Sequence, residues 1–431
     1  MDRHKFFQDD RWTAGVVGLG YVGLPLLLTA VRQGLGGVGF DVSEERVAAL
    51  NAGKSHIDDI SDEELEKALA DGVEFTADPS RLADADAIFI CVPSPLGRNR
   101  QPDLSFIEAA ARTVEGVVRP GQLISLESTS YPGTTEDYVL PAIERAGYTL
   151  DEDDVYLAFS PERVSPGDEL KTGEIPKVVG GVTETSGQIA ETVYKRLVPS
   201  VHLVSSARAA EMTKLIENTY RAVNIGLINE MAQLAHELGI DIWEVVDAAA
   251  TKPFGFQPFY PGPGVGGHCI PLDPQYLSWR AREANFSTRF IDTAEQVNSK
   301  MPGYNVTRIS DLLNERGLPI FGTEVLGVGI SYKANIADDR ESASLEVLRD
   351  LARRGAVVSV LDPLIGDERI RTHGFDPVAS DDDLTRFAIA VVLTDHGDVD
   401  YEKIATDVPV VYDARGVYRR RRLRFSNVIA L

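Results

Sequence analysis

At 431 residues, with 43% hydrophobic and 25% charged residues, the chain has room for two or three globular domains. Its formal net charge of -23 argues against nucleic acid and anionic membrane as partners, because both would be repelled. Only two cysteines are present, Cys91 and Cys269, too few for a disulfide framework, so a reduced, cytosolic protein is expected.

The N-terminus, M-D-R-H-K-F-F-Q-D-D-R-W, has no apolar h-region and predicts no signal peptide. Nor does any apolar run approach the roughly 18 residues that span a bilayer. The first ordered signal is a β-prone run, Thr13 to Val17, followed by G-L-G-Y-V-G with Gly18, Gly20 and Gly23. A helical pattern then runs from Leu24 to Val31, and a second strand, Val38 to Phe40, ends in Asp41. This is the dinucleotide fingerprint in its required context. Gly18 makes the turn, Gly20 admits the pyrophosphate, and Gly23 lets helix and strand pack. Asp41, 21 residues after Gly20, suits the ribose hydroxyls and would repel a 2′-phosphate, so NAD is favoured over NADP. Arg46 is the one nearby cation that counts against this choice.

The alternation continues. Strands are predicted at Ala87 to Val92, Leu123 to Leu126 and Val155 to Phe159, ending in P-S-P, E-S-T-S-Y-P-G and S-P-E-R. Ligands gather at the carboxyl ends of such strands, which points to Ser94, Thr129, Glu162 and Arg163. A long helical pattern from Ala207 to Leu238 follows. Its apolar stripe of Met212, Leu215, Ile216, Val223, Leu227, Met231, Leu234 and Leu238 predicts core or a subunit contact. Lys214, Asn218 and Arg221 share one face, either solvated or aimed at a developing oxyanion.

Tyr260 to Asp273, Y-P-G-P-G-V-G-G-H-C-I-P-L-D, reads as a shaped loop presenting Cys269 beside an imidazole and a carboxylate. A nucleophilic thiol in a pocket and a buried Cys in a Gly/Pro turn both fit. No second Cys or His pair has ligand spacing, so no metal site is expected at His268 and Cys269. Helical patterns resume from Gln275 to Glu283 and from Asp292 to Lys300.

The last part echoes the first. A strand at Glu324 to Gly329, Lys333 in the turn, a helix from Ser344 to Arg354 and a strand from Val357 to Leu361 ending in Asp362 make a second nucleotide-binding-like unit. Lys333 suits a diphosphate as a point charge. Strands at Ala388 to Leu393 and Val408 to Tyr412 follow, the latter leading to Arg415 at a strand end. The Arg419 to Arg422 run is expected to be a solvated face, with a phosphate patch as the alternative. The expected fold is α/β: two Rossmann-like doubly wound domains joined by a long central helix and helical connector. Residues 1–203 would bind NAD, 204–304 would carry the Cys loop, and 305–431 would bind the substrate nucleotide.

The segments G-V-V-G-L-G-Y-V-G, S-T-S-Y-P-G-T, S-P-E-R-V-S-P-G, K-L-I-E-N, P-G-P-G-V-G-G-H-C-I-P-L-D-P, S-Y-K-A-N-I-A-D-D-R-E-S and D-A-R-G, in this order, resemble the UDP-glucose/GDP-mannose dehydrogenase family over nearly the whole chain. Within it, S-P-E-R-V-S-P-G and G-G-H-C-I-P resemble the UDP-N-acetylhexosamine 6-dehydrogenases. The run T-K-P-F-G-F-Q-P-F-Y-P-G-P-G resembles the UDP-N-acetylglucosamine branch. The mannosamine branch usually has H-P-R where Lys252, Pro253 and Phe254 stand.

The resemblance implies a four-electron oxidation with two NAD, through a Cys269 thiohemiacetal and thioester, in a homodimer or larger homo-oligomer. It gives oxyanion stabilisation to Lys214 and Asn218, water or proton handling to Asp273, and a water near the reacting carbon to Thr129. Cofactor contacts would be Tyr21, Val22, Asp41, Arg46, Ser94, Thr129 and Arg340. Substrate contacts would be Arg163, Val164, Arg221, Tyr260, Gly266, Tyr332, Lys333 and Arg415. UDP-glucose dehydrogenases carry a second Glu where this chain has Pro166. UDP-glucose is therefore a poorer expectation, and Glu162 or a water held by Asp273 is left as the hydrolytic base. Two other readings stand beside this one. A two-electron hydroxyacid-type dehydrogenase has no need of Cys269, and a non-catalytic sensor would have lost Lys214, Asn218 or Cys269.

Overall fold

The computed structural model of the chain describes residues 2–8, 12–57, 60–97, 101–163, 174–267 and 269–431; of Cys269 it describes the backbone only. The described residues form two compact units. One comprises residues 1–217 and 275–286, the other 218–274 and 287–431.

The first unit is built on β1 (Thr13–Val17), α1 (Gly23–Arg32), β2 (Gly36–Phe40), α2 (Glu44–Asn51), β3 (Glu74–Thr76), β4 (Ala87–Ile90), β5 (Leu123–Leu126), β6 (Tyr156–Phe159), β7 (Lys177–Gly181), α3 (Glu184–Tyr194), β8 (Val201–Val204) and the start of α4 (Ala207–Glu237). Its sheet has the order β3-β2-β1-β4-β5-β6-β7-β8. Alternate strand residues face two cores: Ala14, Val16, Ala87 and Phe89 enter one, and Val17, Ile88 and Ile90 the other. Every pairing is parallel except β6 with β7, which is antiparallel. The order reverses direction at β1 and β4, the crevice where such sheets bind ligands.

The second unit contains the rest of α4, then α5 (Ile242–Ala250), the start of α6 (Cys269–Glu283, whose residues from Gln275 on belong to the first unit), α7 (Arg289–Asn314), β9 (Glu324–Val328), α8 (Ala343–Arg353), β10 (Val357–Leu361), β11 (Asp376–Pro377), β12 (Ile389–Val392), β13 (Val411–Asp413) and β14 (Val428–Ala430). Its sheet order is β11-β10-β9-β12-β13-β14, parallel throughout. Asp362 stands just past β10 as Asp41 stands past β2. It accepts the Ile330 N–H at 2.8 Å, as Asp41 accepts that of Leu19 at 2.9 Å. The expected pair of doubly wound parallel-sheet units is thus present.

One expectation needs correction and two are narrowed. The stretch read as loop through Asp273 becomes helical at Cys269, the first residue of α6. Pro271 is tolerated there because the first four N–H groups of a helix need no internal acceptor. The apolar stripe of α4 is mostly outside the core: Leu215 is buried, but Met212, Ile216, Leu227, Leu234 and Leu238 are 36–63% exposed. The buried line of α4 is made of small and polar residues instead, including Ala210, Glu211, Ala222, Asn229, Ala232 and Ala235. Gly226 belongs to it, because a Cβ there would stand 3.0 Å from the Ala294 backbone of α7. Finally, the basic run is an exposed face, as expected, and three of its arginines are ion-paired on it. Arg419 pairs with Asp241 and Asp247, and Arg420 and Arg421 pair with Asp395.

Candidate active site

The glycine turn after β1 fits a dinucleotide on steric grounds. Gly18 has φ +93°, and a Cβ on it would stand 2.7 Å from the Cys91 carbonyl oxygen. A Cβ on Gly23 would collide with the Gly18 carbonyl, whereas the space around Gly20 is open to 4 Å, as an approaching pyrophosphate requires. Val22 stands at the N-cap of α1 and half-exposed Tyr21 beside it. Asp41 is buried and accepts from the Leu19 and Ser43 N–H groups and from Arg46 at 2.8 Å. Burial works against its charge, but these donors outweigh it and hold its carboxyl below the usual range. Arg46 is therefore paired with the very carboxylate that discriminates against a 2′-phosphate, which resolves the apparent conflict between the two residues.

The strand ends of the first unit are tied to one another. The Ser128 hydroxyl accepts the Val92 N–H at 2.9 Å and donates to the Val92 carbonyl at 2.8 Å, locking the loop after β5 to the one after β4. Ser94 lies in the latter loop, its carbonyl accepting from the Tyr276 hydroxyl at 2.9 Å. Thr129 follows Ser128, and its Oγ1 accepts from the Lys214 ammonium of α4. One turn earlier on α4, the buried Glu211 carboxylate accepts from Gly133 N–H and from the N–H and hydroxyl of Thr135. It fastens the Thr129 loop to the helix that carries Lys214. Past β6, Glu162 is buried, and Arg163 forks onto Glu217 at 2.5 and 3.1 Å. Val164 and Pro166 lie outside the described residues.

In the second unit, Asn218 donates its Nδ2–H to the buried Asp273 carboxylate at 2.6 Å. An amide has two such donors, so this bond orients the group and leaves a second for an oxyanion. Arg221, further along α4, is exposed. The glycine loop is pressed against its surroundings. A Cβ on Gly262 would stand 2.7 Å from the Arg415 guanidinium, and one on Gly266 would stand 2.9 Å from Tyr332 and 3.0 Å from the Glu341 carbonyl. Gly264 and Gly267 have φ of +145° and +83°, which side chains rarely adopt. The loop is anchored from α4 by Asn229, whose Oδ1 accepts the Gly262 N–H at 3.1 Å and whose amide donates to Asn298 of α7. Arg415 spends its Nε–H on the Leu393 carbonyl and is paired with no carboxylate among the described residues. Burial and the neighbouring Arg420 charge pull its pKa down to about 10.

Tyr332 and Lys333 are half-buried in the turn after β9. Arg340 is exposed and forked onto Asp338. Tyr260 stacks on Trp243 of α5 and donates to Asp247. His268 and the Cys269 side chain lie outside the described atoms, as does any arrangement of the thiol. Three residues tied to the candidate machinery went unassigned in the sequence: Glu211, Asn229 and Lys177. The signal that could have found them is a polar residue at a position the helix or strand period buries. No group of His, Cys, Asp and Glu suited to hold a metal is present among the described residues.

A chain with a fitted dinucleotide turn, a second nucleotide-type unit and a lysine–threonine and asparagine–aspartate pair on one helix is a nucleotide-sugar oxidoreductase in outline. Comparison with known proteins makes the class definite. Residues 13–198, 208–300 and 326–420 match, in turn, the NAD binding, central and UDP binding domains of the UDP-glucose/GDP-mannose dehydrogenase family, and the chain belongs to that family. It is an NAD-dependent UDP-sugar dehydrogenase. It is 35% identical to the NDP-N-acetyl-D-galactosaminuronic acid dehydrogenase of Ralstonia nicotianae, over 95% of this chain and 97% of that one. It is 34% identical to the UDP-N-acetyl-D-glucosamine 6-dehydrogenase of Pseudomonas aeruginosa, over 85% and 86%. The solved UDP-D-ManNAc dehydrogenase from Pyrococcus horikoshii superposes with a TM-score of 0.85 at 31% identity, covering 97% of this chain and 98% of that one.

Proposed function

We propose that the chain oxidises the C6 alcohol of a UDP-N-acetylhexosamine, UDP-N-acetyl-D-glucosamine first among them, to the uronate used in surface polysaccharide precursors. The observation that carries this is Lys214 bound to Thr129, with Asn218 bound to Asp273 four residues along the same helix. A cation and an amide donor carried four residues apart on one helix are the groups that an alkoxide or tetrahedral oxyanion calls for, and this supports the reading.

In this reading Thr129 holds a water that takes the C6 hydroxyl proton, and Lys214 and Asn218 stabilise the oxygen as its negative charge develops. Bound NAD supplies the hydride acceptor for both oxidations, one molecule for each. The Cys269 thiolate adds to the aldehyde carbon to give a thiohemiacetal, and after the second oxidation it holds the product as a thioester. Glu162 takes a proton from water as the water oxygen bonds to the acyl carbon. The C–S bond then breaks, the thiolate is restored, and the carboxylic acid sheds its proton to solvent. Arg163, Val164, Arg221, Tyr260, Gly266, Tyr332, Lys333 and Arg415 take the UDP-sugar, and Arg340 joins the glycine turn in holding the cofactor.

The exposed apolar face of α4, with Met212, Ile216, Leu227, Leu234 and Leu238, supports a homodimer; sedimentation at monomer mass would contradict it. The reduced-cysteine reading supports a cytoplasmic location, and among the described residues no helix is long and apolar enough to cross a membrane. The substrate is tested by measuring kcat/KM with the UDP derivatives of N-acetylglucosamine, N-acetylmannosamine, N-acetylgalactosamine and glucose in parallel. The glucosamine sugar is expected to lead and to exceed UDP-glucose by at least about tenfold, a difference of about 1.4 kcal/mol. A lead for either other acetamido sugar would overturn the branch assignment and leave the chemistry standing.

A further inference from the structure

The one antiparallel pairing of the first sheet's described strands, β6 with β7, delivers a charge to the catalytic edge. Parallel strands bring only their C-terminal ends there. Because β7 runs against β6, its first residue, Lys177, arrives at that edge instead. The register pairs Ala158 with Gly181 and Phe159 with Gly180, and continuing it sets Lys177 opposite Glu162. Lys177 is 3% exposed, and its Nζ makes three contacts: with Glu127, with the Pro161 carbonyl at 3.2 Å and with Glu162 Oε2 at 3.3 Å. Glu127 is taken from its other side by the Tyr194 hydroxyl of α3, itself bonded to Ser125 at 2.8 Å. Glu162 Oε1 accepts the Arg163 N–H at 2.7 Å.

One buried ammonium thus faces two carboxylates. Burial alone would depress Lys177, but the carboxylates outweigh it and keep it charged. Burying three charges is costly, and an apolar trio would serve stability as well. The cluster stands directly behind the carboxylate that the thioester reading uses as base, and perturbed buried groups concentrate at such places.

We propose that Lys177, anchored by Glu127 and Tyr194, is a positioning residue that holds Glu162 ionised and aimed for thioester hydrolysis. This rests on the thioester reading above. Glu127 is the fixed end, with both oxygens occupied. The longer contact to Glu162 steers that carboxylate without immobilising it. Among the described residues, the other charged or titratable groups near Glu162 include buried Cys91 and the Arg163–Glu217 pair beside it.

The test uses the full-length enzyme with UDP-N-acetyl-D-glucosamine and NAD, in rapid-quench single turnovers. It follows NADH and the mass of the acyl group on Cys269. In Lys177→Met/Glu127→Gln, which keeps the buried charge balanced, the NADH burst should stay within about threefold of wild type. Hydrolysis should fall about a hundredfold, the low end of a general base's contribution. The acyl adduct should accumulate, and the acid limb of the hydrolysis profile should move to higher pH, because an adjacent cation favours the carboxylate. Wild-type hydrolysis and pH profile in the variant, or a burst and hydrolysis that fall together, would overturn the proposal. Should the double variant fail to fold, Lys177→Arg decides on the same criteria, a selective change in hydrolysis supporting it and a uniform or absent one overturning it. Failure of the thioester reading itself has a different signature: no adduct in wild type or Glu162→Gln, and two NADH per sugar from Cys269→Ala.

Discussion

Lys214→Met is expected to lower kcat by roughly 10²–10³, the effect of removing one preorganised oxyanion donor, with KM for the UDP-sugar changed by less than about threefold. The side chain reaches Thr129 across the interval between α4 and the loop after β5, so its ammonium is held in place before substrate arrives. Such preorganisation acts on the charge that develops during reaction, which is why the loss falls on kcat. Thr129→Val should be milder, about tenfold, since the ammonium remains while its orienting acceptor and the hydroxyl that holds the proton-taking water are lost. Steady-state kinetics on the two variants separate the alternatives: a raised KM with unchanged kcat would assign Lys214 to ground-state binding.

The second large effect is on stability and lies at Glu211. Burial pushes its carboxyl up to about 7, against the pull of the Gly133 and Thr135 donors. Its folded pKa is above the unfolded one, so the stability this group contributes is fully present below about pH 4.5 and is lost as pH rises through about 7. Between pH 5 and pH 8 that loss amounts to about 2–3 kcal/mol. Glu211→Gln keeps the acceptor for Thr135 and leaves the Gly133 N–H without one, a cost that does not change with pH. Denaturant unfolding at pH 5 and pH 8 should therefore find the variant gaining about 2–3 kcal/mol on wild type across the interval. Equal slopes for the two proteins would mean that Glu211 ionises at an ordinary pH inside the fold.

Glycines and strand ends were legible because they answer steric demands that any sequence must meet. Gly18, Gly20 and Gly23 could be read from spacing, and the contacts a Cβ would meet at Gly18 and Gly23 give the reason. The second unit was legible by the same logic, since Asp362 repeats the place of Asp41. What was not legible depends on tertiary burial. The large apolar residues of α4 pointed to a core, yet the helix packs through Ala222, Gly226, Asn229 and their neighbours. Helical period locates a stripe but does not say which stripe is covered. The strand β7 was missed because K-V-V-G-G is short and ends in two glycines, and with it went Lys177. Glu211 and Lys177 carry no signal of their own until their partners, far away in the chain, are brought against them. The helical start at Cys269 was hidden by Pro271, which breaks a helix interior but not a first turn.

The central claim is a four-electron oxidation carried by Cys269, and the most direct measurement is the NADH formed per UDP-N-acetyl-D-glucosamine consumed, in wild type and in Cys269→Ala. The account predicts two NADH per sugar for the wild type and no uronate from the variant. One NADH per sugar, or two from the variant, would contradict it and leave a two-electron dehydrogenase or a thiol-independent route.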